Sequence, residues 1–527
     1  MLELTDRGLK NRSEWEAKGY ALPRFDRDAM RAETRRAPQW VHFGAGNIFK
    51  AFQANAAQKL LDSGEMKTGI VAVERSASPE KRASYDEHDA LTVLATLKCD
   101  GSVEKTVIGS IAEVCWLLGE EQSRLREVFA APSLQLVSFT ITEKGYRIAD
   151  AERDLSARPE ETRSYWGRVT ALLLERFNTG AAPLAMVSMD NCSCNGETLR
   201  TSIMTFARAW ADNGFVPESF IGYIEQKVSF PWTMIDKITP APDASVAAML
   251  GADGLALSAS VTGEGTHIAP FVNAEESEYL VVEDDFPNGR PPLEHSGVIF
   301  TDRDTVRRAE KMKVCACLNP LHTALAVGGC LLGFTRISEE MKDPELSALA
   351  RGVGYVEGLA VAADPGVIDP REFLDTVVNV RLPNPFLPDA PQRIATDTSQ
   401  KIPIRFGETI KSYAERPELD VRSLTFIPLA IALWLRYLLA LDDRGEPFSC
   451  SSDPMLDVLK KKLGNVKLGE PESAADGVLA PILSDRTLFA SDLCELGLAE
   501  KICGMLRELL AGPGAVRATL KKYTAAV

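Results

Sequence analysis

The chain is 527 residues long, 45% hydrophobic and 25% charged, with a formal net charge of −15. That length exceeds what one hydrophobic core organises, so two domains are expected. The acidic balance excludes nonspecific adhesion to nucleic acid or to an anionic membrane surface, while leaving room for a locally basic pocket.

The N-terminal MLELTDRGLKNRSEWEAKGY has no apolar h-region, so no export signal is read there and a cytoplasmic location is expected. Ten cysteines over such a length do not make a disulfide framework, and free thiols follow. Residues 1–37 are a charged, turn-rich leader with no functional reading. QWVHFGAGNIFKAFQANAAQKLLDSG then reads as strand, glycine turn and amphipathic helix, and GIVAVE as a second strand. LQLVSFTITEKGY and APLAMVSMDN are later apolar runs ending in polar residues, with YWGRVTALLLERF and ETLRTSIMTFARAW as helices between and after them. Strands alternating with helices predict a parallel, doubly wound sheet.

From about Thr301 the pattern turns helical, through DTVRRAEKMKV, PLHTALAVGGCLLG, FIPLAIALWLRYLLAL, MLDVLKKKL and KICGMLRELLAG, divided by proline-rich links such as RLPNPFLPDAPQR. The expected fold class is α/β: a Rossmann-like domain over 1–217 and a mostly α-helical C-terminal domain over 218–527, with 218–300 assignable to either. FIPLAIALWLRYLLAL holds Pro428 and Arg436 and falls short of the ~20 uninterrupted apolar residues of a membrane span, so it reads as a buried helix. No membrane or nucleic-acid partner is expected.

VHFGAGNIF places Gly44, Ala45, Gly46, Asn47, Ile48 and Phe49 between a strand and a helix. Glycines there allow a tight bend and close approach of a pyrophosphate to the helix N-terminus. Phe49 stands where the GxGxxG fingerprint has its third glycine. Glu74 ends the next strand, where a carboxylate accepts the ribose hydroxyls of NAD and repels a 2′-phosphate; Arg75 beside it keeps NADP open. The plain alternative is a structural β-turn-α with a surface glutamate. The five histidines (His42, His88, His267, His295, His322) form no HxxxH pair, and Cys192/Cys194 and Cys315/Cys317 have CxC spacing, read as small buried hydrophobes rather than zinc ligands.

HFGAGNIFKAFQA, SFTITEKGY, SMDNCSCNGETLR, KVSFPWTMIDKITP, YLVVEDDFPNGRPP, CLNPLHTAL, RIATDTSQKIPIR and the WLRYL helix, in this order, together resemble the polyol-specific long-chain dehydrogenases. That family includes mannitol 2-dehydrogenase and the fructuronate (mannonate) and tagaturonate reductases. The resemblance implies NAD(H)-linked, metal-independent interconversion of a secondary alcohol and a ketone, with an active site between a Rossmann-like and a helical domain. Carried over by position, Lys313 is the general base. Asn191 and Asn319 hold the reacting oxygen, and His322, Arg393 and Lys401 bind substrate. Val228 and Ser229 face the substrate, Glu143 exchanges protons with the base, and Thr142 joins the glycine-turn residues in the cofactor site. A lysine serves as base if burial and nearby cations lower its pKa from ~10.4; two amide donors make an oxyanion hole.

The family has four residues between lysine and asparagine; here Lys313 and Asn319 have five. One extra helical residue rotates the lysine by about 100°, so either a π-bulge or a break near Pro320 absorbs it, or the base is Lys311, eleven residues before His322. D-mannonate/D-fructuronate is the leading substrate pair, with a mannitol or arabinitol 2-dehydrogenase as the alternative and a catalytically silent NAD-binding protein as the reading from another class. A monomer or small homo-oligomer is expected.

Overall fold

The computed structural model describes residues 2–75, 78–118, 122–148, 154–255, 260–261 and 267–526. Four apolar runs form its central strands: β1 (Trp40–Phe43), β2 (Ile70–Glu74), β4 (Leu136–Phe139) and β5 (Leu184–Ser188), buried along nearly their whole length. Such continuous burial is what a parallel sheet covered on both faces requires. With β3 (Ile111–Trp116) and β6 (Val228–Ser229) they form one six-stranded sheet of order β3-β2-β1-β4-β5-β6, every pairing parallel. The side-chain period of two divides the strands between two cores. Val41, Phe43, Val71 and Val73 join a cluster with the helices Tyr165–Asn178 and Asn195–Asp212. Trp40, Ile70 and Ala72 pack with the helix Ala54–Ser63 on the other side.

The chain divides into two compact units, Met1–Lys98 with Ser102–Arg307, and Cys99–Gly101 with Arg308–Val527. Residues 218–300, which the sequence leaves assignable to either domain, fall in the first of these units. The reason is long-range pairing invisible to local pattern: Phe271–Glu275 lies parallel to Thr92–Leu97, and Thr233–Asp236 runs antiparallel to Tyr279–Glu283.

The second unit is helical. Every residue of Phe426–Tyr437 is buried, as expected for that run. Arg436 within it is satisfied by the carbonyl oxygens of Leu441 (2.7 Å), Asp442 (2.9 Å) and Leu509 (3.3 Å). Arg303–Leu332 is long and apolar enough to cross a membrane by composition alone, but 78% of its apolar window is buried in the protein, as in a core helix. It is interrupted by a π turn at Lys313–Cys317 before the helix Asn319–Leu332 begins.

Candidate functional site

In the first unit the strand order reverses at β1, and a crevice opens beyond the C-terminal ends of β1 and β4, the place where open α/β sheets bind ligands. It encloses about 330 Å³ and is lined by Gly44, Ala45, Gly46, Asn47, Lys50, Glu74, Lys81, Tyr85, Thr140, Ile141, Thr142 and Ala269. Gly44 has φ +89°, and a Cβ there would lie 2.2 Å from the Thr140 carbonyl oxygen, so the bend demands glycine. A Cβ at Gly46 would meet nothing within 4 Å; that space is open to a ligand above the N-terminus of the following helix.

Phe49 explains the incomplete fingerprint. The third glycine normally permits close helix–strand packing; here Phe49 is fully buried and stacks on His42 with ring centroids 4.2 Å apart, while the chain is π-wound over Phe49–Gln53. Phe49, Ile48 and the exposed Arg75 do not line the crevice, unlike the other expected cofactor residues. His42 bonds through its two ring nitrogens to Ser138 and Thr140, and burial pushes its pKa down to about 3. Glu74 closes the crevice, with one oxygen 3.2 Å from Lys81 Nζ and the other 3.2 Å from the Tyr85 hydroxyl, which also donates to the Ala45 carbonyl. Burial lowers Lys50 to about 8, with Glu74 opposing. Lys50, Lys81 and Tyr85 escape a reading of the sequence because each reaches the crevice from a helix face seven or more residues from Glu74 in the chain.

Asn191 follows β5 and Glu143 follows the exit of β4; both are exposed at the C-terminal edge of the sheet. Val228 and Ser229 are not brought there. Val228 pairs with Leu184 and Ser229 with Ala185, at the opposite end of β5, and Ser229 Oγ donates to the Asp285 carbonyl. The run KVSFPWTMIDKI splits at Phe230–Pro231, and Thr233 is the residue that reaches the edge, its hydroxyl donating to the Ser188 carbonyl at 2.7 Å.

In the second unit the π turn takes up the extra residue before Asn319. The Leu318 amide donates to the Lys313 carbonyl, five residues back, at 3.1 Å. Lys313 on this turn is 2% exposed, whereas Lys311 lies half-exposed and 3.2 Å from Glu408. Pro320 occupies the first turn of the next helix, as its fixed φ favours. The Asn319 carbonyl accepts from the Thr323 hydroxyl at 3.0 Å and from Arg405 at 3.3 Å. Its carboxamide makes no hydrogen bond among the described residues.

One turn on, His322 Nε2 lies 3.7 Å from Asp389, which also pairs with Arg393. Burial pushes His322 down to about 4; Arg381, Arg405 and Arg393 act in the same sense, and Asp389 opposes them. Lys401 donates to the carbonyls of Ile394 and Thr396 and is lowered to about 8, mainly by burial and by Arg405. Arg405 donates to the Thr323 hydroxyl at 2.6 Å and is lowered to about 10 by burial. The sequence reading included Arg393 and Lys401 but missed Arg381 and Arg405, which make this a basic cluster around one histidine.

Each of the two units has a counterpart in known proteins. The mannitol dehydrogenase Rossmann domain model matches residues 38–295 and the mannitol dehydrogenase C-terminal domain model matches 305–509. The chain belongs to the mannitol dehydrogenase family. It is 48% identical to the D-mannonate oxidoreductase of Thermotoga maritima, with 99% of each chain covered. It is 31% identical to the D-arabinitol 4-dehydrogenase of Ralstonia nicotianae, over 71% of this chain and 78% of that one. Among solved structures, a D-sorbitol dehydrogenase in substrate-free form superposes with a TM-score of 0.79 at 25% identity, over 95% and 97% of the two chains. Pseudomonas fluorescens mannitol 2-dehydrogenase in ternary complex with NAD and D-mannitol gives 0.69 at 26%, over 99% of each. As a member of this family the chain is an oxidoreductase acting on the CH–OH group of a small polyol or sugar acid.

Proposed function

We propose that the protein interconverts D-mannonate and D-fructuronate with NAD(H). The observation that carries this reading is the 48% identity over essentially the whole chain to a D-mannonate oxidoreductase. The basic cluster of Arg381, Arg393, Lys401 and Arg405 supports an anionic substrate. The glycine bend, the open space at Gly46 and the carboxylate of Glu74 suit a dinucleotide without a 2′-phosphate. Gly44 to Asn47, Glu74 and Thr142 would hold it, and its nicotinamide supplies the hydride acceptor when bound.

The protein's own task is the proton and the developing charge. Lys313 accepts the hydroxyl proton on Nζ as the C–H hydride leaves and the C=O bond forms. The carboxamides of Asn191 and Asn319 donate to the oxygen as it gains negative charge. His322, Arg393 and Lys401 orient the substrate, and Glu143 passes the proton onward. Lys313 is preferred to Lys311 because it is buried on the π turn that leads into Asn319, whereas Lys311 is ion-paired with Glu408 and half-exposed.

The neutral-polyol reading is favoured by the likeness to the mannitol-bound relative. An NAD(H)-linked screen over fructuronate, tagaturonate, fructose and their reduced partners tests the choice. Turnover of fructuronate and mannonate is expected; turnover of fructose and mannitol with none of fructuronate overturns it.

A further inference from the structure

Thr142 is β-branched, yet its backbone lies at φ 68°, ψ 156°, a region left almost entirely to glycine. The carboxylate of Asp190 holds it there. Oδ1 accepts the Thr142 amide at 2.8 Å and Oδ2 the Ile141 amide at 3.0 Å, two successive N–H groups on one side chain. Oδ2 also accepts the Tyr146 hydroxyl at 2.8 Å, and that oxygen lies 2.7 Å from Ser188 Oγ. Asp190 is itself fixed: its carbonyl accepts from the Cys192 amide at 2.9 Å and from the Asn195 carboxamide at 3.1 Å. Asn195 in turn donates to the Thr233 carbonyl at 3.0 Å. Asp190 is 7% exposed and Tyr146 6%, so water competes little with these bonds.

The neighbours in sequence give the clamp its meaning. Glu143 follows Thr142, and Asn191 follows Asp190. The geometry points to Asp190 as a positioning residue: by clamping the exit of β4 it fixes Glu143, and through its own backbone Asn191, at set places on the edge of the sheet. The inference rests on the proposed roles of Asn191 and Glu143. Strain at Thr142 is retained because the bonded loop over-determines it. The tightness of the clamp matters because a displacement of about 1 Å in a reacting group costs roughly 100-fold in rate.

The test is a double-mutant cycle of Asp190→Asn and Thr142→Gly in the full chain, with kcat, substrate KM, NADH affinity and Tm measured for each variant. Asp190→Asn sets an NH2 against a donor and should lower kcat by roughly 100-fold with substrate KM little changed, since the substrate-holding cations come from other segments. In the Thr142→Gly background the same substitution should cost several times less, because glycine keeps that backbone conformation without the clamp. Should Asp190→Asn fold poorly, Tyr146→Phe removes one bond to Oδ2 and leaves both amide bonds; a smaller loss confined to kcat is expected. Equal losses in both backgrounds, or a loss that disappears when rates are expressed per folded enzyme, would overturn the clamp. Asn191→Ala separates the two claims. Full kcat in that variant overturns the reading and the clamp together, whereas a loss there with wild-type kcat in Asp190→Asn sinks the clamp alone.

Discussion

Lys313 carries the chemistry proposed here, and the residues around it make distinguishable predictions. Asn191→Ala and Asn319→Ala should each lower kcat by about 100- to 1000-fold, the usual effect of removing one oxyanion donor, measured as steady-state NADH formation. Lys401 gives a pH signature. With its pKa lowered to about 8, it is charged below that pH and loses its charge above it. The KM for an anionic substrate should therefore rise as pH passes through about 8, and Lys401→Met should abolish that rise; a KM flat across pH 7–9 in the wild type would contradict the assignment. The site residues legible in sequence were those whose neighbours are local, such as Gly44 and Gly46 on one bend and Asn319 and His322 one turn apart. Lys50, Lys81, Tyr85, Arg381 and Arg405 were not, because their roles depend on tertiary approach. The run KVSFPWTMIDKI is mostly apolar, yet the strand ends at Ser229 and the residues from Thr233 join a different sheet, a division that local pattern does not show.

Among the described residues, π turns recur where charged side chains are buried. Lys50, Lys313, Glu357 and Arg381 all lie on such turns. A π turn widens the helix by one residue and re-aims the side chains around it, which is how Lys313 and Asn319 tolerate the extra residue between them. Glu357 shows the structural use. Its carboxylate accepts the amides of Thr425, Phe426 and Ile427, capping the wholly buried helix Phe426–Tyr437. Glu357→Ala should cost about 3 kcal/mol, because three buried donors lose their acceptor, read as a lower midpoint in urea. Burial raises its pKa to about 7 against the pull of those amides. The fold thus holds this proton more tightly than the unfolded chain, and this group's contribution to stability falls as pH rises from about 4.3 to 7.

Gly329, inside the helix Asn319–Leu332, packs against another buried glutamate. A Cβ there would lie 1.8 Å from Glu340 Oε1, so Gly329→Ala should destabilise by about 1–3 kcal/mol. Glu340 is fully buried, neither of its oxygens has a hydrogen-bond partner among the described residues, and burial raises its pKa well above the usual carboxylate range. Glu340→Gln should therefore gain stability relative to wild type as the pH is raised.

For the whole molecule, the alternation of strands and helices was enough to foresee a doubly wound sheet followed by a helical unit, because each unit's pattern is set by local periodicity and burial. The change of pattern near Thr301 was visible in the sequence, but the assignment of 218–300 was not, since it depends on Phe271–Glu275 pairing with a strand more than 170 residues earlier. In the proposed reaction a buried lysine accepts a proton while a sugar acid is oxidised. Single-turnover NADH formation from D-mannonate and NAD, compared in Lys313→Ala and Lys311→Ala, tests it most directly. Lys313→Ala should lose about 100- to 10,000-fold in rate while still binding NADH, and added methylamine should restore part of it, with Lys311→Ala close to wild type. Wild-type turnover in Lys313→Ala, or a comparable loss confined to Lys311→Ala, would contradict it.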